Sequence, residues 1–348
     1  MSVFQNFDTE NDIKTGQISV VSSGMWSGGV GTLTNFYTSS TQTGSTGEHY
    51  FDIYNGVVGT NATASVQFSL AFGSYGGSGS LSGDNDNAAS KAIYRQLRNL
   101  LLPQGTEKFQ AGAYQGGGTD ADTDTIFAVS LNRGRLKEKM DPGNWELRLS
   151  GSTGKVLHLI DDSGATNDPN VRNTAREFNI VSGSISSGNA VIGGASTASF
   201  GKFYPESGLL ILDATLLLDD GNGIPMTGYN TASNVNGNNN QAFYNAIAGN
   251  SENTATGYFA ARREEQIKST HYFCRVRHNQ YNHSQNPTYT TGDAGDLTIP
   301  SFRNDPKSYI TTVGLYNSAN ELLAVAKLSK PVLKSTSREA LIKVRLDF

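Results

Sequence analysis

Residues 309–327, Tyr-Ile-Thr-Thr-Val-Gly-Leu-Tyr-Asn-Ser-Ala-Asn-Glu-Leu-Leu-Ala-Val-Ala-Lys, leave this chain little freedom at its far end. Two apolar, strand-like runs flank a turn that carries Asn317, Ser318 and Asn320, the pattern of a β-hairpin. Beyond it, Ala340–Phe348 alternates apolar and charged side chains, as a strand with one buried face does. A terminus carried in a strand is expected to be tied into a sheet. Residues 309–348 are therefore expected to form an anchor onto which the rest of the chain is built. Contacts with other proteins are expected at Tyr309, Val313, Leu315, Tyr316, Leu322 and Leu323 of the hairpin. Leu346 and Phe348 of the last strand are expected to join them.

Composition extends the β reading to the whole chain. Apolar residues make up 36% and charged residues 17%, both low for a globular protein, and Gly, Ser, Thr and Asn fill the difference. Those residues favour turns and short strands over long helices. The predicted class is mainly β, with several antiparallel sheets in a sandwich-like arrangement and one or two short helices. At 348 residues the chain can bury a real core. Four regions are expected: 1–105, β structure ending in an amphipathic helix; 106–221, a central β region; 222–256, an Asn/Gly-rich loop; and 257–348, the C-terminal β anchor module.

Within these regions Gln17–Ser22, Glu48–Tyr54 and Ala64–Phe72 read as strands, rich in β-branched and aromatic residues. The helix is predicted from about Asn87 to Leu102, capped by Asp84 or Asp86 and stopped by Pro103, with Ile93, Leu97, Leu100 and Leu101 as its apolar stripe. Strands are expected at 126–131, Trp145–Leu149 and Lys155–Ile160, with Arg133–Met140 as a charged turn or short helix. The run Leu209–Leu218, broken by Asp213, reads as a buried strand or strand pair and is too short to span a bilayer. Residues 222–256, dense in Asn, Gly, Ser and Thr, read as a long loop between two halves of the fold, placed to touch a neighbour.

Candidate chemistry is sparse. Asp120, Asp122 and Asp124 alternate like calcium-loop ligands, but Thr125 and Leu131 stand where such a loop needs Gly and Glu. An exposed acidic turn is the other reading. His271, Cys274, His278 and His283 place four potential zinc ligands within thirteen residues. Strand-like alternation over 270–277 would send His271 and Cys274 to opposite faces. His158 has no acidic or nucleophilic neighbour in sequence and reads as a structural histidine. Glycan hydrolysis needs two carboxylates flanking a groove. Glu264 with Glu265, and Asp293 with Asp296, are neighbours in sequence only. The glycines of 22–31 lack a following amphipathic helix and a phosphate-loop lysine, and no HExxH or nucleophile elbow is present. The expectation is no enzyme, no catalytic residue, no cofactor and no metal.

The net charge of −4 offers no basic stripe to a nucleic-acid backbone. The local clusters at Arg133–Lys139, Arg262–Arg263 and Arg275–Arg277 read as solvated or subunit-contacting faces. The single Cys274 excludes an intrachain disulfide framework and fits a reducing compartment. No charged-then-apolar leader opens the chain, so secretion by a signal peptide is not expected. Neither nucleic acid nor membrane is expected as a partner.

Several phrases resemble a known family. Tyr-Phe-Cys-Arg-Val-Arg (272–277), Asn-Pro-Thr-Tyr (286–289), the Val-Gly-Leu-Tyr-Asn hairpin (313–317) and Leu-Ser-Lys-Pro (328–331) resemble virion structural proteins of T-even-like myophages, cyanophages in particular. Leu-Asn-Arg-Gly-Arg-Leu-Lys-Glu-Lys-Met-Asp-Pro-Gly-Asn-Trp-Glu-Leu (131–147) looks like the same family, and the hairpin alone resembles amino-terminal attachment modules of contractile-tail fibre proteins. The resemblance covers some two thirds of the chain and supplies no catalytic motif. It implies a structural protein of the virion tail, in the baseplate or where fibres attach, assembled in the host cytoplasm. Its partners would be other phage tail proteins and symmetry-related copies of itself, in a homo-oligomer within the virion. Unpaired strand edges would offer β-augmentation between chains. Deleting 340–348 is then expected to abolish incorporation into particles. A neck, collar or head-associated protein, a receptor- or glycan-binding adhesin, and an enzyme acting on host envelope polysaccharide stay open as alternatives.

Overall fold

The computed structural model describes residues 4–39, 49–78, 89–113, 120–152, 154–164, 170–172, 175–186, 189–193, 198–219, 221–230, 238–249, 257–292 and 294–347. Over these it is mainly β, 49% strand against 14% helix, with antiparallel sheets and four short helices rather than one or two. The strands are β1 (Ile13–Gly24), β2 (Thr32–Leu33), β3 (Phe51–Tyr54), β4 (Val66–Ser74), β5 (Phe109–Ala111), β6 (Ala121–Thr123), β7 (Thr125–Leu131), β8 (Lys139–Ser150), β9 (Val156–Asp161) and β10 (Asn170–Arg172). There follow β11 (Ala175–Ser186), β12 (Asn189–Ile192), β13 (Ser199–Tyr204), β14 (Leu209–Asp213), β15 (Tyr258–Val276), β16 (Thr290–Thr291), β17 (Asp296–Leu297), β18 (Lys307–Tyr316), β19 (Leu322–Ser335) and β20 (Ala340–Asp347). The helices are α1 (Ala89–Leu101), α2 (Arg133–Leu136), α3 (Ala214–Leu218) and α4 (Asn238–Ala248).

The chain forms two compact units, residues 21–265 and residues 1–20 with 266–348. The larger unit runs through the boundaries expected at 105/106, 221/222 and 256/257. The smaller one combines residues 266–348, the expected C-terminal module without 257–265, with the N-terminal segment 1–20, which the sequence had placed elsewhere.

In the larger unit the first part of β15 begins an antiparallel sheet that continues through β8, β9, β11, β13, β14, β7, β4 and β3. Its middle strands are covered on both faces. Phe127, Val129, Leu210 and Leu212 enter the main core, while Ile126, Ala128, Leu209 and Ile211 pack with Tyr94 and Leu101 of α1. Double burial explains why 126–129 and 209–212 read as unbroken apolar runs.

The helices depart from expectation in three places. α1 buries Ser90, Tyr94 and Leu101, and leaves Leu100 exposed. A tyrosine can lead the buried face because its hydroxyl donates to the Thr123 carbonyl at 2.6 Å and accepts from the Phe109 N–H at 3.1 Å. The proposed caps Asp84 and Asp86, and Asn87, lie outside the described residues. The run 209–218 is a strand followed by a helix, because Asp213 caps α3, its Oδ1 accepting from the N–H groups of Thr215 (2.7 Å) and Leu216 (3.1 Å). Residues 222–256 are not one long loop, since α4 runs through them with Phe243 stacked on Phe127 at 4.4 Å. Its asparagine-rich start is buried because Asn239 exchanges two hydrogen bonds with the backbone of Asn230.

In the smaller unit β20 lies antiparallel to the last part of β15, from Ser269↔Asp347 to Val276↔Ala340. The Phe273 N–H donates to the Asp12 carbonyl at 2.8 Å, so the N-terminal segment also lies against β15. The β18–β19 hairpin supplies Leu315 to a small core with Ile342 and Val344, and Phe7, Tyr272 and Cys274 pack around it.

Candidate functional site

The β18–β19 hairpin divides its apolar residues between core and water. Leu315 is buried, and Val313 and Leu346 pack partly against the same cluster, so these three residues hold the unit together. Tyr309, Tyr316, Leu322 and Leu323 face solvent, Leu322 being 52% and Leu323 69% exposed, and Val325 joins them. Phe348 lies outside the described residues. Tyr316 is opposite Leu322, and its ring lies so close over Gly314 that a Cβ there would come within 2.8 Å of it. Phe4 meets the same ring edge-on, centroids 4.8 Å apart. Asn317 fixes the turn: its Oδ1 accepts from the N–H groups of Ala319 and Glu321, and its Nδ2 donates to Glu321 Oε2 at 2.7 Å. A stiff tip thus displays an apolar patch.

Beside the hairpin is a half-open cleft of about 730 Å³. One side consists of Ile310, Thr312, Val313, Gly314 and Tyr316 of β18, with Asn317, Ser318 and Asn320 of the turn. The N-terminal residues 4–7, Thr9 and Asp12 supply another side, and residues 273–276, Tyr281 and Ile342 complete it. Tyr281 is 44% exposed and has φ 52°. A bulky residue in that conformation persists only where its surroundings hold it. Here the Ser308 hydroxyl donates to the Tyr281 carbonyl at 2.6 Å. On either side, Lys334 Nζ donates to the His278 carbonyl (2.9 Å) and to Asn282 Oδ1 (2.8 Å), and its third bond goes to the Ser335 carbonyl (2.7 Å). Lys334 is 0% exposed, and burial pushes its ammonium below the usual lysine range. The sequence carried no sign of this clamp. The aromatic pair Phe4 and Phe7 was the one visible hint of an N-terminal contribution.

The other candidates are dispersed. Asp120 accepts from the Ala113 N–H and meets Lys202 at 3.3 Å, Asp122 accepts from Gln110, and Asp124 pairs with Lys108 at 2.8 Å. His278 pairs with Glu339 and His283 packs edge-on against Tyr289. His271 is buried on β15, and burial with nearby Lys343 and Arg345 lowers its pKa. The half-buried Cys274 thiol is pushed up, by burial first and Asp12 second. Among the described residues no three of His, Cys, Asp and Glu gather as metal ligands would. His158 does have an acidic partner: its Nδ1 lies 2.7 Å from Glu146 Oε1, while Glu146 Oε2 accepts from the Ile185 N–H at 2.6 Å. These two bonds tie β8, β9 and β11 together. Glu264 and Glu265 are each paired with a lysine, Lys139 and Lys137, at 3.1 Å. Asp293 lies outside the described residues. No described helix is long and apolar enough to cross a membrane. Comparison with protein-family models, curated proteins and solved structures finds no match to this chain.

Proposed function

We propose that this chain is a structural protein of a contractile phage tail, in the baseplate or where fibres attach, working through protein–protein contacts. The observation that carries the reading is the stiff hairpin tip with Tyr316, Leu322, Leu323 and Val325 exposed. A patch of this kind is costly in water and is used where another protein covers it. The phrases at 272–277, 286–289, 313–317 and 328–331 supply the tail as the setting.

Deleting 340–348 tests this poorly, because 340–347 pairs with β15 and places Ile342 and Val344 in the core. The double substitution Leu322→Ser/Leu323→Ser touches only the exposed patch. It should leave stability within about 0.5 kcal/mol while sharply lowering incorporation of the chain into particles. Cryo-EM of intact particles then places the chain. Its absence from particles, or full incorporation of the double variant, would sink the reading. A position at the neck or head would keep the virion role and reject the baseplate.

A further inference from the structure

We infer that the cleft beside β18 is a receptor slot for one extended polypeptide strand from another protein. Residues from both faces of β18 line it: Val313 belongs to the inward face, and Thr312, Gly314 and Tyr316 to the outward one. That occurs where the edge of a strand, rather than its face, forms the wall. Among the described residues β18 pairs with β19 alone, so alternate N–H and C=O groups on its second edge point toward the cleft. Their repeat, roughly 6.7 Å for every second residue, is matched by another polypeptide backbone and by no glycan.

The two strands of this hairpin treat their edges differently. β19 carries Lys327, Lys330 and Pro331, and residues 328–331 break register between the paired Lys327 and Val332. Charge, proline and bulge are the means by which strands refuse new partners. Residues 308–316 of β18 have no charge and no proline. One edge is guarded and the other is kept open.

Residues 4–7 and Thr9 of the same chain also line the cleft, beyond the β18 wall. The space is therefore a slot, which admits a single strand and excludes the edge of a second folded sheet. Phe7, Val313 and Ile342 ask for apolar side chains at alternate positions of the occupant, and Thr312 and Asn320 for small or polar ones between them. Asp12 and Arg275 balance each other, so the occupant need carry no net charge. Binding would be β-augmentation, with the backbone giving affinity and alternate side chains giving specificity. The inference deepens the assembly reading and rests on it only for the source of the strand, another tail protein.

The test uses the full chain, a displayed library of random nine-residue peptides, and the selected peptide made synthetically. Selected sequences should alternate apolar and polar residues, and backbone amides of 310–316 should gain exchange protection when the peptide binds. Methylating alternate backbone nitrogens of the peptide should weaken binding at least tenfold. Thr312→Lys, at an exposed edge position, should do the same with an unchanged melting temperature. Failure to select any peptide, indifference to N-methylation or to Thr312→Lys, or glycans competing for the cleft would overturn the slot. So would a dimer of this chain that Thr312→Lys abolishes. If peptide binding is lost in Thr312→Lys yet the variant enters particles normally, the slot stands and its use in assembly fails. If no peptide binds but Leu322→Ser/Leu323→Ser is excluded from particles, the assembly reading stands and the slot fails.

Discussion

Lys334 shows how far one side chain can be from what its sequence position announces. In Leu328-Ser-Lys-Pro-Val-Leu-Lys-Ser335 nothing local marks it for burial, yet it is wholly buried with three carbonyl-type acceptors. A neutral amine has only two N–H groups, so three acceptors require the ammonium form. Lys334→Met should cost about 2–3 kcal/mol, because one buried and two part-buried oxygens lose a charged donor. Chemical denaturation measures this, and amides of 277–282 should exchange faster; an unchanged midpoint would remove the clamp from the account. His271 predicts a pH dependence. Its pKa is lowered in the fold, so the unfolded chain takes up a proton first as pH falls below about 6.5. The stability it contributes is present above that pH and is lost as pH falls through the lowered folded value. Glu339 and Asp347, lowered chiefly by bonds from His278 and Ser269, extend the loss to more acid pH. In His271→Gln the first step, which begins as pH falls through about 6.5, should disappear from a series of denaturation midpoints. If it persists, another group causes it.

At the scale of elements, patterning located strands well and helices badly, for a physical reason. Alternation in Ala340–Asp347 and the turn at Asn317–Asn320 report directly on backbone geometry, and both elements form. α4 was hidden because its first turn is asparagine, a residue that competes with helix by bonding backbone nearby. Its support is tertiary: Phe243 stacks on Phe127 of the sheet, and the Tyr244 hydroxyl donates to the Phe36 carbonyl at 3.0 Å. Such tertiary support leaves no trace in local sequence. Phe243→Ala should therefore destabilise the larger unit by about 3–5 kcal/mol, read as a lower denaturation midpoint. A loss under 1 kcal/mol would mean that α4 is not part of the core. α1 was found but turned about its axis, since the pattern counted Leu100 as core and overlooked a tyrosine whose hydroxyl has two backbone partners.

On the scale of the whole molecule, the candidate site was half legible. The hairpin and its exposed residues stood out, while the cleft required residues 4–12 to meet residues 273–276 and 342, which no local pattern specifies. The smaller unit is built from both ends of the chain, and the bond from Phe273 N–H to the Asp12 carbonyl spans about three quarters of the sequence. Contacts so distant form late, because the closure entropy must be met before they stabilise anything. The N-terminal segment should then act as a clasp. A chain lacking residues 1–12 loses Phe7 from the small core and Asp12 from the edge of β15. Together these are worth about 2 kcal/mol, or roughly thirtyfold faster amide exchange. The change should appear over 266–276 and in β20, with β7 and β14, buried on both faces, keeping their protection. Exchange over 266–276 identical to that of the full chain would show that the segment decorates the unit without closing it. The same truncation removes one wall of the cleft, so it should also abolish capture of the strand peptide that Thr312→Lys weakens. Retained capture would require the peptide to be held by the edge of β18 alone, without the slot.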